Sequence, residues 1–288
     1  MTKFKKLAIA VAVASAAVMP MASNASVVID GVAFNSGDQL ITTALWESVL
    51  KNVTDSLSGV GIVSKISCAG CGGTTWLDGN NNTQLTYFFS GYKVARWYDS
   101  LNVVHTSLDN VGFAQAKAID FTGGDVKLFT DKVIGGFSYL DPAANPNVVN
   151  AALSAQDVAN ATDGKLWLEY SGVTTTDLSG RSGTLLSNAA TLNPVHAGGS
   201  GFGYLNVVMN PAASATTYFN TDSFNIGGVI ADARLDSSFS TPNSGAWPLS
   251  GTAAIKTNAI PEPGSLALLG LGLMGLGAVY RRKSSKKA

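Results

Sequence analysis

The chain has 288 residues, with Lys+Arg and Asp+Glu balanced at 19 each. The balance comes from the ends: residues 26–259 hold eleven Lys/Arg against eighteen Asp/Glu, a net charge of −7. A body of that sign excludes a nucleic-acid binder, which needs a basic stripe. The whole chain has only 13% charged residues, about half the usual share, and its polarity comes mostly from Ser, Thr, Asn and Gly, as suits an envelope or matrix setting.

Residues 1–25 begin with Lys3, Lys5 and Lys6, continue as an apolar run from Leu7 to Met19, and end in Ser23-Asn24-Ala25. That order is an export signal, with the small residues fitting a signal peptidase. Cleavage is expected between Ala25 and Ser26. About 234 residues remain before the C-terminal segment, enough for one core, and no linker or repeat divides them.

Strand signals dominate this body. Val27–Phe34, Leu40–Glu47 and Gly61–Ile66 come first. Gln84–Tyr92 places Leu85, Tyr87 and Phe89 on one face. Lys117–Thr130 predicts a hairpin: Ile119 and Phe121, a Thr-Gly-Gly turn, then Val126 and Leu128. Leu166–Tyr170, Tyr204–Met209, Val229–Leu235 and Ala253–Thr257 complete the set. One helix is predicted over Asn147–Ala161, with Pro146 at its start, a Ser154/Asp157 capping box and Gly164 as its stop. The expected fold is mainly β. It is a single β-sandwich or jelly-roll-like domain over 26–259 with one short helical excursion, flanked by an N-terminal signal helix and a C-terminal hydrophobic helix.

Cys68 and Cys71 are the two cysteines. A c-type haem site needs His after the second one, and Gly72 stands there. Gly72-Gly73-Thr74-Thr75 is a poor helix start for a redox pair, and His105 and His196 are too isolated to complete a zinc site. A local disulfide in an oxidising compartment is the expectation. In Asp78-Gly79-Asn80-Asn81-Asn82, oxygen donors stand at Asp78, Asn80 and Asn82, as in calcium loops, but Thr83 and Phe89 replace the glycine and carboxylate such loops need. A hairpin turn is the stronger reading, and no metal or cofactor is expected.

Catalytic signatures are thin. Ser182 and Ser200 lie beside glycines but miss the nucleophile elbow. Glu47 and Glu169 are the body's two glutamates, and a glycosidase needs a carboxylate pair. Trp76, Trp97 and Trp247 offer aromatic faces for sugar rings.

The C-terminus reads Pro261-Glu262-Pro263, then an uncharged run from Leu266 to Tyr280, then Arg281, Arg282 and Lys283. Fifteen helical residues span roughly 22 Å, so insertion requires a thinned bilayer and snorkelling of Tyr280 and the basic cluster. The positive-inside rule keeps that cluster cytoplasmic and the body outside. Gly270, Gly272 and Gly275 match a dinucleotide fingerprint, but no strand precedes them and no acidic residue follows.

The Pro-Glu-Pro motif, the Gly/Leu-rich span and the basic end of residues 260–288 together resemble the PEP-CTERM sorting domain of Gram-negative bacteria. The resemblance implies recognition by exosortase, a membrane-embedded cysteine transpeptidase-like enzyme, with cleavage near Pro261-Glu262-Pro263. It implies an exported protein, held at the inner membrane and then at the surface or in the matrix, associated with exopolysaccharide, biofilm or floc formation. Within the body, Leu57-Ser-Gly-Val-Gly, Cys68-x-x-Cys71, Gln84-Leu-Thr-Tyr-x-Phe and Gly91 resemble a family of PEP-CTERM proteins of undefined function. The expected role is non-catalytic, with signal peptidase, exosortase and exopolysaccharide as partners. A polysaccharide hydrolase or a lectin-like protein is the alternative.

Overall fold

The structure, a computed structural model, describes residues 26–48, 50, 52–68, 73–132, 155–191, 198–240 and 249–258. The strands in chain order begin with β1 (Val27–Ile29), β2 (Val32–Phe34), β3 (Asp38–Glu47), β4 (Ser56–Cys68), β5 (Thr74–Leu77) and β6 (Thr83–Tyr98). Next come β7 (Val104–Thr106), β8 (Ala118–Lys132), β9 (Lys165–Val173), β10 (Thr175–Thr176), β11 (Ser182–Gly183) and β12 (Leu185–Thr191). Last are β13 (Gly198–Val207), β14 (Phe224–Ile226), β15 (Val229–Ala231), β16 (Ala233–Ser240) and β17 (Leu249–Thr257).

The fold is a closed barrel rather than the expected sandwich. The antiparallel pairings run from β8 through β9, β13, β16, β17, β3, β4 and β6, and β6 pairs again with β8. Closure rests on two unusually long strands. β6 and β8 stay paired from Thr83↔Lys132 to Tyr98↔Ala118, which removes the edges that a sandwich would leave open. β9 and β12 share one place in the circuit, both pairing with β8 and β13 at different levels.

Period-two alternation fills the interior with Leu40, Leu45, Leu57, Val63, Leu85, Tyr87, Phe89, Leu128, Leu205 and Ile255. Eight strands enclose about the space such side chains can fill. Two voids of about 40 Å³ each remain, both bordered by Glu47, Leu57, Leu185 and Ser237. The helix Ala155–Thr162 lies on the outside, where Val158 and Ala161 cover Trp46, Val60, Ile62 and Phe88. The predicted helix began at Asn147; residues 147–154, including the Ser154 cap, lie outside the described residues.

The predicted hairpin at Lys117–Thr130 is a single strand, β8. Gly123 and Gly124 have φ of +74° and +93°, and the chain kinks there without reversing. Gly91 of β6, at φ +79°, lies at the same level. Both strands change phase at this level: the buried residues run Ile119, Phe121, then Val126, Leu128 on one, and Tyr87, Phe89, then Tyr92, Val94 on the other. A Cβ at Gly124 would meet the Tyr92 ring at 2.3 Å, so the kink seats that ring.

Two other turns differ from expectation. Val27–Phe34 is a tight hairpin, because Asp30 (φ +49°) and Gly31 (φ +86°) reverse the chain between β1 and β2. The Asp78–Asn82 loop has left-handed residues at Gly79, Asn81 and Asn82, but it does not reverse the chain. β5 and β6 both run antiparallel to β4, so the loop is an excursion between two strand pieces of one direction. The Asn81 side chain donates to the Gly31 carbonyl at 2.9 Å, tying the loop to the β1–β2 hairpin.

That hairpin packs at one end of the barrel. Phe34 stacks edge-on against Trp167 at 5.9 Å and lies 4.7 Å from Phe219, and Lys165 pairs with Asp30 at 2.9 Å. β17 finishes at the same end, with Lys256 paired to Gln39. The chain therefore enters and leaves the barrel at one end. Among the described residues, no helix is long and apolar enough to cross a membrane. Leu266–Tyr280 lies outside them, as do the signal residues and the sorting motif.

Candidate functional site

The far end of the barrel is built where β6 finishes at Tyr98 and β8 begins at Ala118. On β8, Ile119 and Phe121 turn inward, so Asp120 turns outward under the β10–β11 hairpin. Its side chain is fully buried there. A buried carboxylate requires cationic or hydrogen-bonding partners, and three side chains supply them. Arg181 donates from Nε to Oδ1 at 2.8 Å and brings Nη2 to 2.7 Å of the same oxygen. Arg96 Nη2 reaches Oδ2 at 3.0 Å, and the Tyr98 hydroxyl donates to Oδ2 at 2.9 Å.

Arg181 is delivered by a turn that the sequence specifies locally. Asp177 Oδ1 accepts the N–H groups of Ser179 at 2.8 Å and Arg181 at 2.9 Å, and Gly180 takes φ +83°. The guanidinium then spreads across β8 and β12. It donates to Asn188 Oδ1 at 2.7 Å and to the carbonyls of Ser187 at 3.0 Å and Ile119 at 3.1 Å. Its carbon lies 5.2 Å from the Tyr98 ring centre, a stacked arrangement that adds cation–π attraction. At least four of its five N–H groups are thus used within the protein.

Above this network opens a cleft of about 510 Å³, lined by Tyr98, Asn102, Lys117, Ala118, Arg181, Asn188 and the strip Gly198-Gly199-Ser200. Lys117 is exposed and donates to Asn102 Oδ1 at 3.2 Å. No carboxylate is among these lining residues. Beside Asn102 the chain exposes Leu101, Val103, Val104, Leu108 and Val111, an apolar rim on the segment that closes this end.

His105 is not isolated, contrary to expectation. Its ring stacks on Trp97 with centroids 3.8 Å apart and planes at 9°. Nδ1 lies 2.7 Å from Asp109 Oδ2, and Nε2 lies 3.6 Å from Asp99 Oδ2. The Asp109 bond, with further help from Asp99, raises the imidazole pKa above its ordinary value. Asp99 also accepts the N–H groups of Leu101 and Val103, each at 2.8 Å.

The remaining sequence candidates are dispersed. Trp76 and Trp97 are core residues, each 1% exposed, so neither presents a face to sugar; Trp247 lies outside the described residues. Glu47 points into the barrel, where burial pushes its carboxyl up to about 7. Glu169, on the outer face of β9, pairs with Lys127 at 3.2 Å and accepts from Asn210 at 2.7 Å. Ser182 lends its carbonyl to Arg96 at 2.9 Å, and Ser200 only lines the cleft. Asp78, Asn80 and Asn82 belong to the loop excursion, and no group of three or more His, Cys, Asp or Glu suited to a metal occurs among the described residues. Cys68 ends β4, donating its N–H to the Gly73 carbonyl at 3.0 Å; Cys71 and His196 lie outside the described residues.

Comparison with known proteins adds the remaining fact. The family model of the PEP-CTERM protein-sorting motif matches residues 259–283. The chain is an exosortase substrate. The motif implies export and a transient membrane anchor, ended when exosortase, itself a membrane protein, cleaves. No curated protein and no solved structure matches the chain.

Proposed function

We propose that the barrel of this PEP-CTERM protein is a non-catalytic, lectin-like module that holds extracellular polysaccharide at the cell surface or in the matrix. One observation carries the reading. The open cleft beside Arg181 combines an aromatic side chain, two amides, two cations and a glycine-serine strip, with no carboxylate among its described lining residues. Sugar hydroxyls exchange hydrogen bonds with amides, and sugar C–H faces pack on aromatic and apolar surfaces such as Tyr98 and the Leu101–Val104 rim. The cleft lies at the barrel end opposite the one where β17 finishes.

A glycosidase needs two carboxylates flanking its substrate. Glu47 faces the barrel interior and Glu169 is bound by Lys127 and Asn210, which favours binding over hydrolysis. In the same reading signal peptidase cuts after Ala25, exosortase cuts near Pro261-Glu262-Pro263, and Cys68 pairs with Cys71 in the exported protein.

The deciding experiment deletes residues 26–259 while retaining both sorting ends, and scores aggregation, biofilm and retained polysaccharide. Loss of retained polysaccharide is expected; an unchanged phenotype would remove the matrix role. Polysaccharide cleavage by the exported protein, abolished by Glu47→Gln or Glu169→Gln, would establish the hydrolase instead. Mass spectrometry of the released protein reads both cleavage sites, and alkylation without reduction should leave both thiols unlabelled.

A further inference from the structure

We infer that the cleft beside Arg181 selects an acidic glycan, a polymer whose sugar rings carry carboxylates, over a neutral one; this rests on the cleft being the polysaccharide site. The observation is a reversal of charge. The body carries −7, yet among the described residues the cleft and its floor hold Lys117, Arg181 and Arg96 against the carboxylates of Asp120 and Asp177. Three cations on two anions leave a local charge of +1. The acidic segment on the rim keeps its charge, but Asp99 and Asp109 hold His105 between them and neither is among the residues that line the cleft.

The two lining cations have different tasks. Arg181 is held from several sides, and its side chain is 13% exposed. It contributes a fixed positive field that needs no reorganisation when an anion arrives. Lys117 is free to meet the ligand. One bond to Asn102 uses one of its three donors, and the other two can reach a carboxylate as charge-assisted hydrogen bonds. Asn102 and Asn188 flank the position at which the sugar hydroxyls would lie.

An acidic body also repels an acidic polymer everywhere else. Binding is thereby confined to the cleft, and mis-registered contacts along the wall are disfavoured. Such a contact weakens with salt, because part of it is exposed Coulomb attraction.

The test uses the exported, processed protein and two probes: polygalacturonate, and the same polymer with its carboxyl groups reduced to alcohols. Wild type is expected to bind polygalacturonate at least about tenfold more tightly than the reduced polymer, a preference that shrinks between low and high salt. Lys117→Glu, a change at an exposed side chain, is expected to abolish the preference while leaving thermal stability unchanged. Equal wild-type affinity for the two polymers, or a preference untouched by Lys117→Glu, overturns the acidic-glycan inference while leaving the polysaccharide reading intact. Binding of neither probe, together with no retention of the cell's own polysaccharide, overturns both.

Discussion

Arg181 and Asp120 lie 61 residues apart in the chain, and they meet through bonds of 2.8 and 2.7 Å to one carboxylate oxygen. Asp120 is wholly buried, so removing its charge leaves Arg181 and Arg96 facing each other without a counter-ion. Truncating one partner of a buried charge cluster is destabilising by about 3–5 kcal/mol. Asp120→Asn is therefore expected to lower the denaturant midpoint sharply. Arg96→Gln, at the more exposed partner, should lose much less. Similar losses from the two variants would show that the cluster is not the anchor described.

The kink at Gly123–Gly124 predicts a second asymmetry. Gly124→Ala places a methyl group against the Tyr92 ring and forces φ +93° on an L side chain. Overpacking and left-handed strain together cost about 2 kcal/mol or more. Gly180→Ala carries only the backbone strain, since nothing lies near its added Cβ, and should cost about 1 kcal/mol. Chemical denaturation of the two variants gives the ranking directly; Gly180→Ala proving the worse would refute the packing account.

Local chemistry made part of this molecule legible from sequence. The inward face of Leu85, Tyr87 and Phe89 follows from alternation alone, and the left-handed residues at Asp30, Gly31, Gly79 and Gly180 stand where Asp, Asn and Gly cluster. The same local signal serves for a reversal and for a kink, however. Gly123-Gly124 is a kink because Gly91 and Tyr92 sit opposite, and that partnership is set by long-range pairing. Barrel closure has the same origin, since it depends on which distant strand β6 meets. The cleft was unreadable for a further reason: Arg96, Asp120 and Arg181 belong to three separate segments, and none carries a motif. The tryptophans misled because size, not exposure, is what composition reveals.

His105 provides a pH-dependent prediction. Its partners raise the folded-state pKa, chiefly through the Asp109 bond, so the protonated form is bound more tightly in the folded protein. The stabilisation is fully present below the unfolded value of about 6.5 and fades as pH rises through the higher folded value. NMR titration of the imidazole should give a midpoint above 6.5, lowered more by Asp109→Asn than by Asp99→Asn. The reverse order would contradict the 2.7 and 3.6 Å geometry.

Glu47 predicts a slope of the same sign over a lower pH window. Burial raises its carboxyl from 4.5 to about 7, so between those values the folded protein holds a proton that the unfolded chain has released. Stability should then fall as pH rises through this window, by on the order of 3 kcal/mol in total, and level off above it. Glu47→Gln keeps the shape and a polar end beside the voids near Ser237, but it cannot ionise. The variant should match wild type near pH 4 and exceed it at pH 8, with the remaining slope below pH 7 set by other groups. Parallel wild-type and variant curves of unfolding free energy from pH 4 to 8 would mean that Glu47 is solvated or compensated in the folded barrel. That outcome would also withdraw the placement of its carboxyl among Leu57, Leu185 and Ser237 as a buried, uncompensated acid.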